Sequence, residues 1–395
     1  MSISSYPLAI PCGVQFDATA IQWSEPDEST LDDFVLSTQV DINVPPPAQE
    51  LLLFCHGSLS RGNVSVSTGQ IETARVHVVV HYHESSVRKS VRVGLVRRGN
   101  QCGVGVFTPT NFEQTQSIWP RTSTRPKLHF EINLLLPEGT EKLPFMVNSL
   151  AVDIYNMSIS AAQLDLVRFG KVTLKSINGP IEAQTLLAET AVLSTTNGWI
   201  DAHSLAAERA QISTCNGSIN GELRVSKSAK LQTTNESITA NINVYSDTKE
   251  LKTIDILATN GAIKSTLNLE STSPDTGNFG VQAQTSNEAV SLRVESLRLG
   301  GQLVLDARTS NDRGYVWLPS TYEGTLSAST SNWSARLKQL QRPDPIGQGR
   351  ARAVEYSQSH ARRLEGRAYW TPVGSGYGRG SVSVSSSNGS VVIEV

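Results

Sequence analysis

Along the second half of the chain, apolar and polar residues alternate in short runs, and the runs themselves recur. Four times, at an unbroken interval of nineteen residues, a polar turn ending in Asn is followed three residues later by isoleucine: SINGPI, TTNGWI, TCNGSI and TTNESI. The Asn positions are Asn178, Asn197, Asn216 and Asn235, and the isoleucines are Ile181, Ile200, Ile219 and Ile238. Four residues before each Asn stands an aliphatic (Leu174, Leu193, Ile212, Leu231), and six before stands a smaller apolar residue (Val172, Ala191, Ala210, Ala229). Val172 and Leu174 face one way while Thr173 and Lys175 face the other, and past the turn Ile181 faces in while Glu182 faces out. A period of two marks strands. Self-similarity at a fixed period near twenty, in units too small to bury an apolar face alone, predicts a β-solenoid whose coils stack on one another.

The phase continues at Asn156, Asn260, Asn287, Asn311, Asn332 and Asn388, giving nine or ten coils from about residue 150 to 395, with longer intervals where loops enter. Stacked coils predict a ladder of Asn side chains that satisfy one another's amides. Asn-Gly at the corners predicts positive φ at Gly198 and Gly217. The closing stretch SVSVSSSNGSVVIEV is expected to dock on the preceding coil, with Asn388 in register with the ladder.

Upstream the pattern changes. Residues 1–50 read as an irregular acidic leader (Glu25, Asp27, Glu28, Asp32, Asp33) ending in a stiff run at Pro45–Pro47. Residues 51–146 carry longer strands, LLLF at Leu51–Phe54, RVHVVVHYH at Arg75–His83, SVRVGLV at Ser90–Val96 and KLHFEINLLL at Lys127–Leu136, joined by polar turns. They predict a small antiparallel β-sheet or sandwich that caps the first coil, as a solenoid end requires. The solenoid then spans 147–395, with a basic loop insertion at 336–367.

Composition narrows the class. Charged residues make up 18% of the chain and the net charge is −2, which argues against generic polyanion binding. No run approaches the apolar length of a membrane span, and the N-terminus lacks a basic, apolar signal pattern, so a cytoplasmic location is expected, with a cell-surface or secreted location by another route as the alternative. Cys12, Cys55, Cys102 and Cys215 lack metal or redox spacing and read as reduced, mostly buried thiols.

The recurring S/T-x-N-G-x-I/V turn, the strand ending in Leu135, Leu136 and Pro137, and the closing W-x-P…G-x-V-x-V-S-S-S-N-G-S-V-V-I from Trp370 to Ile393 resemble the adhesin-like β-solenoid domains of unknown function, in the form found in fungal proteins. The resemblance covers about residues 50–395. It implies a β-solenoid without an established activity and carries over no catalytic residue.

Three constellations could carry chemistry. His77, His81 and His83 share one face of a strand, with His129 and Glu131 outward on another, and His-x-His is a geometry zinc sites use; a solvated strand face has the same pattern, so no metal ligand is assigned. Glu182 and Asp201 occupy equivalent positions of adjacent coils, at a spacing that retaining glycosidases use, but the following coils place Asn220 and Thr239 there. GSGYGRG at Gly374–Gly380 has glycine spacing without the strand-to-helix context that a phosphate loop needs. Residues 336–367 are the remaining oddity, with eight basic residues against three acidic ones, a local 8 − 3 = +5. Arg350, Arg352, Arg362 and Arg363 are candidates for a polyanion contact there. The sequence therefore points to a non-enzymatic, adhesin-like binding or scaffold module without a cofactor, whose partner is a protein or glycan surface. A carbohydrate-active enzyme on a β-helix is the alternative.

Overall fold

The computed structural model describes residues 7–19, 21–45, 49–110, 128–371 and 380–395. The protein is all-β, a β-solenoid with antiparallel strands at its margins. The chain divides into two compact units, Met1–Gly198 and Trp199–Val395.

In the first unit one ladder runs in space through β1 (Gln15–Asp17), β7 (Arg92–Arg98), β8 (Gln101–Phe107), β4 (Glu50–His56), β10 (Phe145–Ile154), β12 (Val167–Ser176) and β14 (Leu186–Ser194). The other runs through β2 (Asp27–Glu28), β3 (Leu36–Asn43), β6 (Arg75–Tyr82), β9 (Leu128–Pro137), β5 (Gly62–Gly69), β11 (Met157–Ala161) and β13 (Ile181–Ala183). Pairs outside β8 and β9 are antiparallel and take in β1, β2 and β3 of the leader, which is therefore not irregular throughout; every pair from β8 and β9 inward is parallel, so β4 and β5 depart from the antiparallel sheet expected over 51–146. The strands β4 and β5 thus form a true coil layer, inserted between β8–β9 and β10–β11.

The apolar run LLLF reflects that position. Leu51–Phe54 are buried on both faces, because Leu8, Ile10, Val14 and Phe16 of the leader pack against Leu52, Phe54, Val96 and Phe107 on the side away from the coil interior. Phe16 meets Phe107 edge to face at 5.1 Å. A strand covered on both sides reads as a continuous apolar run rather than an alternation.

In the second unit, β15 (Ile200–Ser213) and β16 (Ile219–Gln232) are long strands that contribute to both ladders. One ladder continues through β18 (Lys252–Leu257), β20 (Asn278–Gln284), β22 (Gln302–Thr309), β28 (Gly380–Ser386), β24 (Gly324–Thr330), β27 (Arg363–Thr371) and β26 (Ala351–His360). The other continues through β17 (Ile238–Ser246), β19 (Ile263–Ser271), β21 (Val290–Leu297), β23 (Gly314–Trp317), β29 (Val391–Glu394) and β25 (Ala335–Lys338). All these pairs are parallel except β24–β27 and β27–β26. The coil β28–β29 is therefore an inserted layer: it docks on the coil that precedes it in sequence, β24–β25, as expected, and its other side is covered by β22–β23.

The Asn ladder forms and follows this spatial order. Asn260 Nδ2 donates to Asn235 Oδ1 at 2.7 Å, Asn287 to Asn260 at 2.6 Å, Asn311 to Asn287 at 2.8 Å, Asn388 to Asn311 at 2.8 Å and Asn332 to Asn388 at 2.6 Å. In the first unit Asn178 donates to Asn156 in the same way.

A second column runs beside it. Two residues before most of these Asn, a buried hydroxyl donates to a backbone carbonyl of the neighbouring coil's corner: Ser176 to Met157, Thr195 to Gly179, Thr233 to Gly217, Thr285 to Gly261, Ser386 to Asp312 and Thr330 to Gly389, at 2.8–2.9 Å. Several of these oxygens also accept the N–H of their own corner, as Ser176 does from Gly179 and Ser386 from Gly389. Each thereby satisfies two backbone groups inside the stack.

Positive φ at Gly198 and Gly217 is not observed; neither is among the residues with positive φ. At Gly198, Gly261 and Gly389 glycine is needed for a different reason. A Cβ on Gly198 would lie 2.1 Å from the Gly179 carbonyl oxygen, on Gly261 1.7 Å from that of Glu236, and on Gly389 1.8 Å from that of Asp312. At these three corners the neighbouring backbone comes too close for a side chain, whereas Glu236, Glu288 and Asp312 occupy the equivalent place in other coils.

Candidate functional site

Of the histidines expected on a solvated face, His81 is buried, His77 is half-buried and His83 stays exposed. Residues 29–34 of the leader lie over them, with Phe34 stacked on His83 at 5.4 Å and 6.0 Å from His129. His81 is 1% exposed; its Nδ1 lies 3.0 Å from the Ser29 hydroxyl and its Nε2 3.8 Å from Glu131. His77 instead meets Asp41 at 3.0 Å. Burial lowers the pKa of both His81 and His129, opposed by Glu131. Among the described residues no group of three or more His, Cys, Asp or Glu is placed to hold a metal.

Glu182 belongs to the first unit, in register with Ser160, and Asp201 to the second, in register with Asn220 and 3.9 Å from His203. Most of GSGYGRG, Gly374 to Arg379, lies outside the described residues, as do Pro46, Pro47 and Lys127. The thiols are free, but only Cys55 is buried, with its pKa pushed up to about 12 by burial; Cys12 and Cys215 are exposed and Cys102 half-buried. The expectation of mostly buried thiols fails because Cys12 and Cys215 fall on turns.

The basic segment is ordered by its own contacts. Asp344, 4% exposed, accepts the backbone N–H groups of Ile346, Gln348 and Arg350 and pairs with the Arg350 guanidinium at 2.9 Å. That guanidinium, followed by the backbone donors, holds its carboxyl well below the usual range. Arg352 is largely buried beside Trp370, donates to the Tyr322 carbonyl at 2.6 Å, and has its pKa lowered to about 10 by burial. Arg350 and Arg352 are therefore structural and do not present their charge to a polyanion. Arg362 and Arg363 are exposed at the turn of the β26–β27 hairpin, Arg363 paired with Glu365 at 2.6 Å. Residues 351–371 are thus not a solvated loop, since β27 adds antiparallel to the β24 edge.

Beside this hairpin, the outward face of the ladder β21–β23–β29–β25 gathers aromatic and cationic side chains. Alternation turns Val316 into the core and Tyr315 and Trp317 outward. Across the ladder Arg293, Trp317, Glu394 and Lys338 stand in one row, and Tyr315, Val392 and Arg336 in the next. The guanidinium carbons of Arg293 and of Arg342 each lie 4.2 Å from the Trp317 ring centroid. Such contacts add about 0.5–2 kcal/mol each and fix the direction of the cations. Arg342 also donates to the Leu318 carbonyl at 2.6 Å, and burial lowers its pKa. Arg293 is paired with Glu295 and Lys338 with Glu394, the latter at 2.9 Å. Arg293, Arg336, Lys338 and Arg342 against Glu295 and Glu394 leave 4 − 2 = +2 on this face, in a chain of net charge −2.

Next to the face lies a groove of about 490 Å³ lined by Ala335, Arg336, Leu337, Lys338, Tyr356, Ser359, Leu364 and Val392. Arg336 and Lys338 belong to the basic residues of 336–367, whereas Trp317 and Arg293 lie outside that segment and carry no charge run or motif in the sequence. The outward positions of GYVW, aromatic at alternate residues of a strand, were the available signal.

A family profile described as a domain of unknown function (DUF7330) matches residues 209–343. No curated protein matches the chain. Among solved structures, a putative cell adhesion protein from Clostridium sporogenes ATCC 15579 is similar at 9% identity over 91% of this chain and 99% of that one, with a TM-score of 0.21. A putative adhesin from Bacteroides fragilis NCTC 9343 is similar at 11% identity over 62% of this chain and 98% of that one, with a TM-score of 0.30. Superpositions this loose carry no argument about site or ligand.

Proposed function

We propose that the protein is a non-enzymatic, adhesin-like binding module whose contact surface is the outward face of β21, β23, β29 and β25. The observation that carries this reading is the cluster of Arg293 and Arg342 around Trp317 on an open sheet face. Two like charges held against one ring repel each other, and the two carboxylates of the face, Glu295 and Glu394, offset only two of its four cations. An anionic surface docking there supplies the rest, with guanidinium forks already oriented. A flat face suits an extended polymer better than a small substrate, which concave pockets serve.

Binding to immobilised polygalacturonate, with neutral dextran as control, tests the reading. Wild type is expected to bind the acidic polymer with an affinity that falls as salt rises. Trp317→Ala and Arg342→Gln are each expected to weaken binding severalfold while thermal stability stays close to wild type. Equal binding to both polymers, or no dependence on either side chain, would defeat the proposal.

A further inference from the structure

In the layers β22–β23, β28–β29 and β24–β25, each strand of one ladder has a counterpart in the other. Beyond them the first ladder is extended by β27 and β26, while among the described residues the second stops at the four-residue strand β25. The 490 Å³ groove occupies the place where the counterpart of β27 would lie.

Its walls are those of an unfinished strand site. Val391 and Val395 donate their N–H groups to the carbonyls of Ser334 and Lys338, so the even-numbered residues of β25 face β29 and the odd-numbered ones face away. The Ala335 N–H is taken by the Ala361 carbonyl at 2.9 Å, which ties the hairpin tip to the edge. The Leu337 N–H and C=O remain directed at the groove.

On the hairpin side, a register shift between Tyr356 and Gln358 inserts one residue, so Tyr356 stands opposite Gly366 and Ser359 opposite Leu364. Without the bulge Tyr356 and Ser359 would point to opposite faces; with it both line the groove, and re-aiming a side chain is a recurring use of such bulges. The floor is apolar, from Ala335, Leu337, Leu364 and Val392. The charged residues that line the groove are Arg336 and Lys338, with no carboxylate among them, and Arg336 makes no ion pair among the described residues.

We infer that this groove accepts an extended peptide segment of a partner protein, which adds to the β25 edge as a strand, its apolar side chains against Leu337, Leu364 and Tyr356 and its acidic side chains toward Arg336 and Lys338. Main-chain hydrogen bonds to an open sheet edge supply affinity, and alternate side-chain pockets supply the sequence preference. The inference rests on the reading of this end of the molecule as a binding surface and names one class of partner for it.

The test uses the full chain and an eight-residue fluorescein-labelled peptide alternating valine and glutamate, followed by fluorescence anisotropy and by amide exchange. The peptide is expected to bind and to slow exchange of the Leu337 N–H. Methylating every second peptide nitrogen, replacing its glutamates by lysine, or introducing Arg336→Glu should each weaken binding at least tenfold. Tyr356→Ala, an exposed change, should weaken it severalfold without loss of fold. Absence of binding, equal binding of the methylated peptide, or unchanged Leu337 exchange overturns the inference. Polygalacturonate binding that still depends on Trp317 in any of those cases shows that the broader reading stands while the strand site falls.

Discussion

Removing Ser390–Val395 is expected to unfold the end of the second unit rather than trim a tail. The deleted residues include β29, which sits between β23 and β25, with Val391, Ile393 and Val395 at 0%, 0% and 1% exposure. At about 1.5–3 kcal/mol for each fully buried aliphatic, their burial contributes about 4.5–9 kcal/mol, an upper figure because unfolded chains already hide part of that surface. The deletion also takes away the β29 backbone partners of both neighbouring strands and the Lys338–Glu394 pair. Domains are stable by only about 5–15 kcal/mol, so a loss of this size is comparable to the whole. Two strand edges would then face a gap one layer wide, and open edges associate. Urea unfolding followed by far-ultraviolet circular dichroism, with size-exclusion chromatography of the same samples, reads both effects. The truncated protein should show a much lower urea midpoint and elute as aggregate. A monodisperse protein with an unchanged midpoint would refute the interior placement of β29.

In the second unit the hydroxyl column is interrupted at Ala258; Ala258→Ser should restore the bonds to the Glu236 carbonyl and the Gly261 N–H and raise stability by about 0.5–1.5 kcal/mol, whereas Thr285→Val should lower it by about 1–3 kcal/mol, both read from urea midpoints. Gly198→Val forces a Cβ into the Gly179 carbonyl and should lower the thermal midpoint clearly; an unchanged midpoint would show that the corners can separate. His81 and His129 have folded pKa values below the ordinary 6.5, so they are neutral in the folded protein where the unfolded chain begins to bind protons. Their contribution to stability is complete above about pH 6.5 and is lost as the pH falls from there through their folded values. The groups facing them are Glu131, Ser29, Ser37, His83 and Phe34. The urea midpoint of the first unit should therefore drop between pH 7.5 and 5.5, and His81→Gln should flatten that drop.

The coil repeat was legible because burial alternates along the strands flanking these corners and the Asn contact recurs from coil to coil, so Asn178, Asn197, Asn216 and Asn235 recur with their isoleucines. The order of coils in space was not legible. Asn388 stacks between Asn311 and Asn332, and nothing in a one-dimensional pattern distinguishes a coil added at the end from one wedged between two others. The same holds for LLLF, whose second covered face is supplied by Leu8 to Phe16. Corner glycines were recognised but assigned to φ, because the approach of a neighbouring coil's carbonyl is a property of the stack and not of the dipeptide. At the candidate site, charge in 336–367 was visible, yet Arg350 and Arg352 are consumed by Asp344 and by Trp370 with Tyr322, while Trp317 emerges only when three strands are set side by side.

The inserted layer also bears on how the chain can assemble. A repeat array ordinarily grows by adding each coil to the one before it, and contacts stay local in sequence. Here β24–β25 cannot reach β22–β23 directly; the two are bridged only by β28–β29, whose Asn388 lies 77 residues from Asn311 and 56 from Asn332 along the chain. Until residues 380–394 have been synthesised, the coil at Asn332 lacks its parallel neighbour and can pair only with β27 on its other side. Completion of this unit is therefore a single late closing event, in which a strand pair enters a waiting slot and converts two separate edges into one continuous ladder.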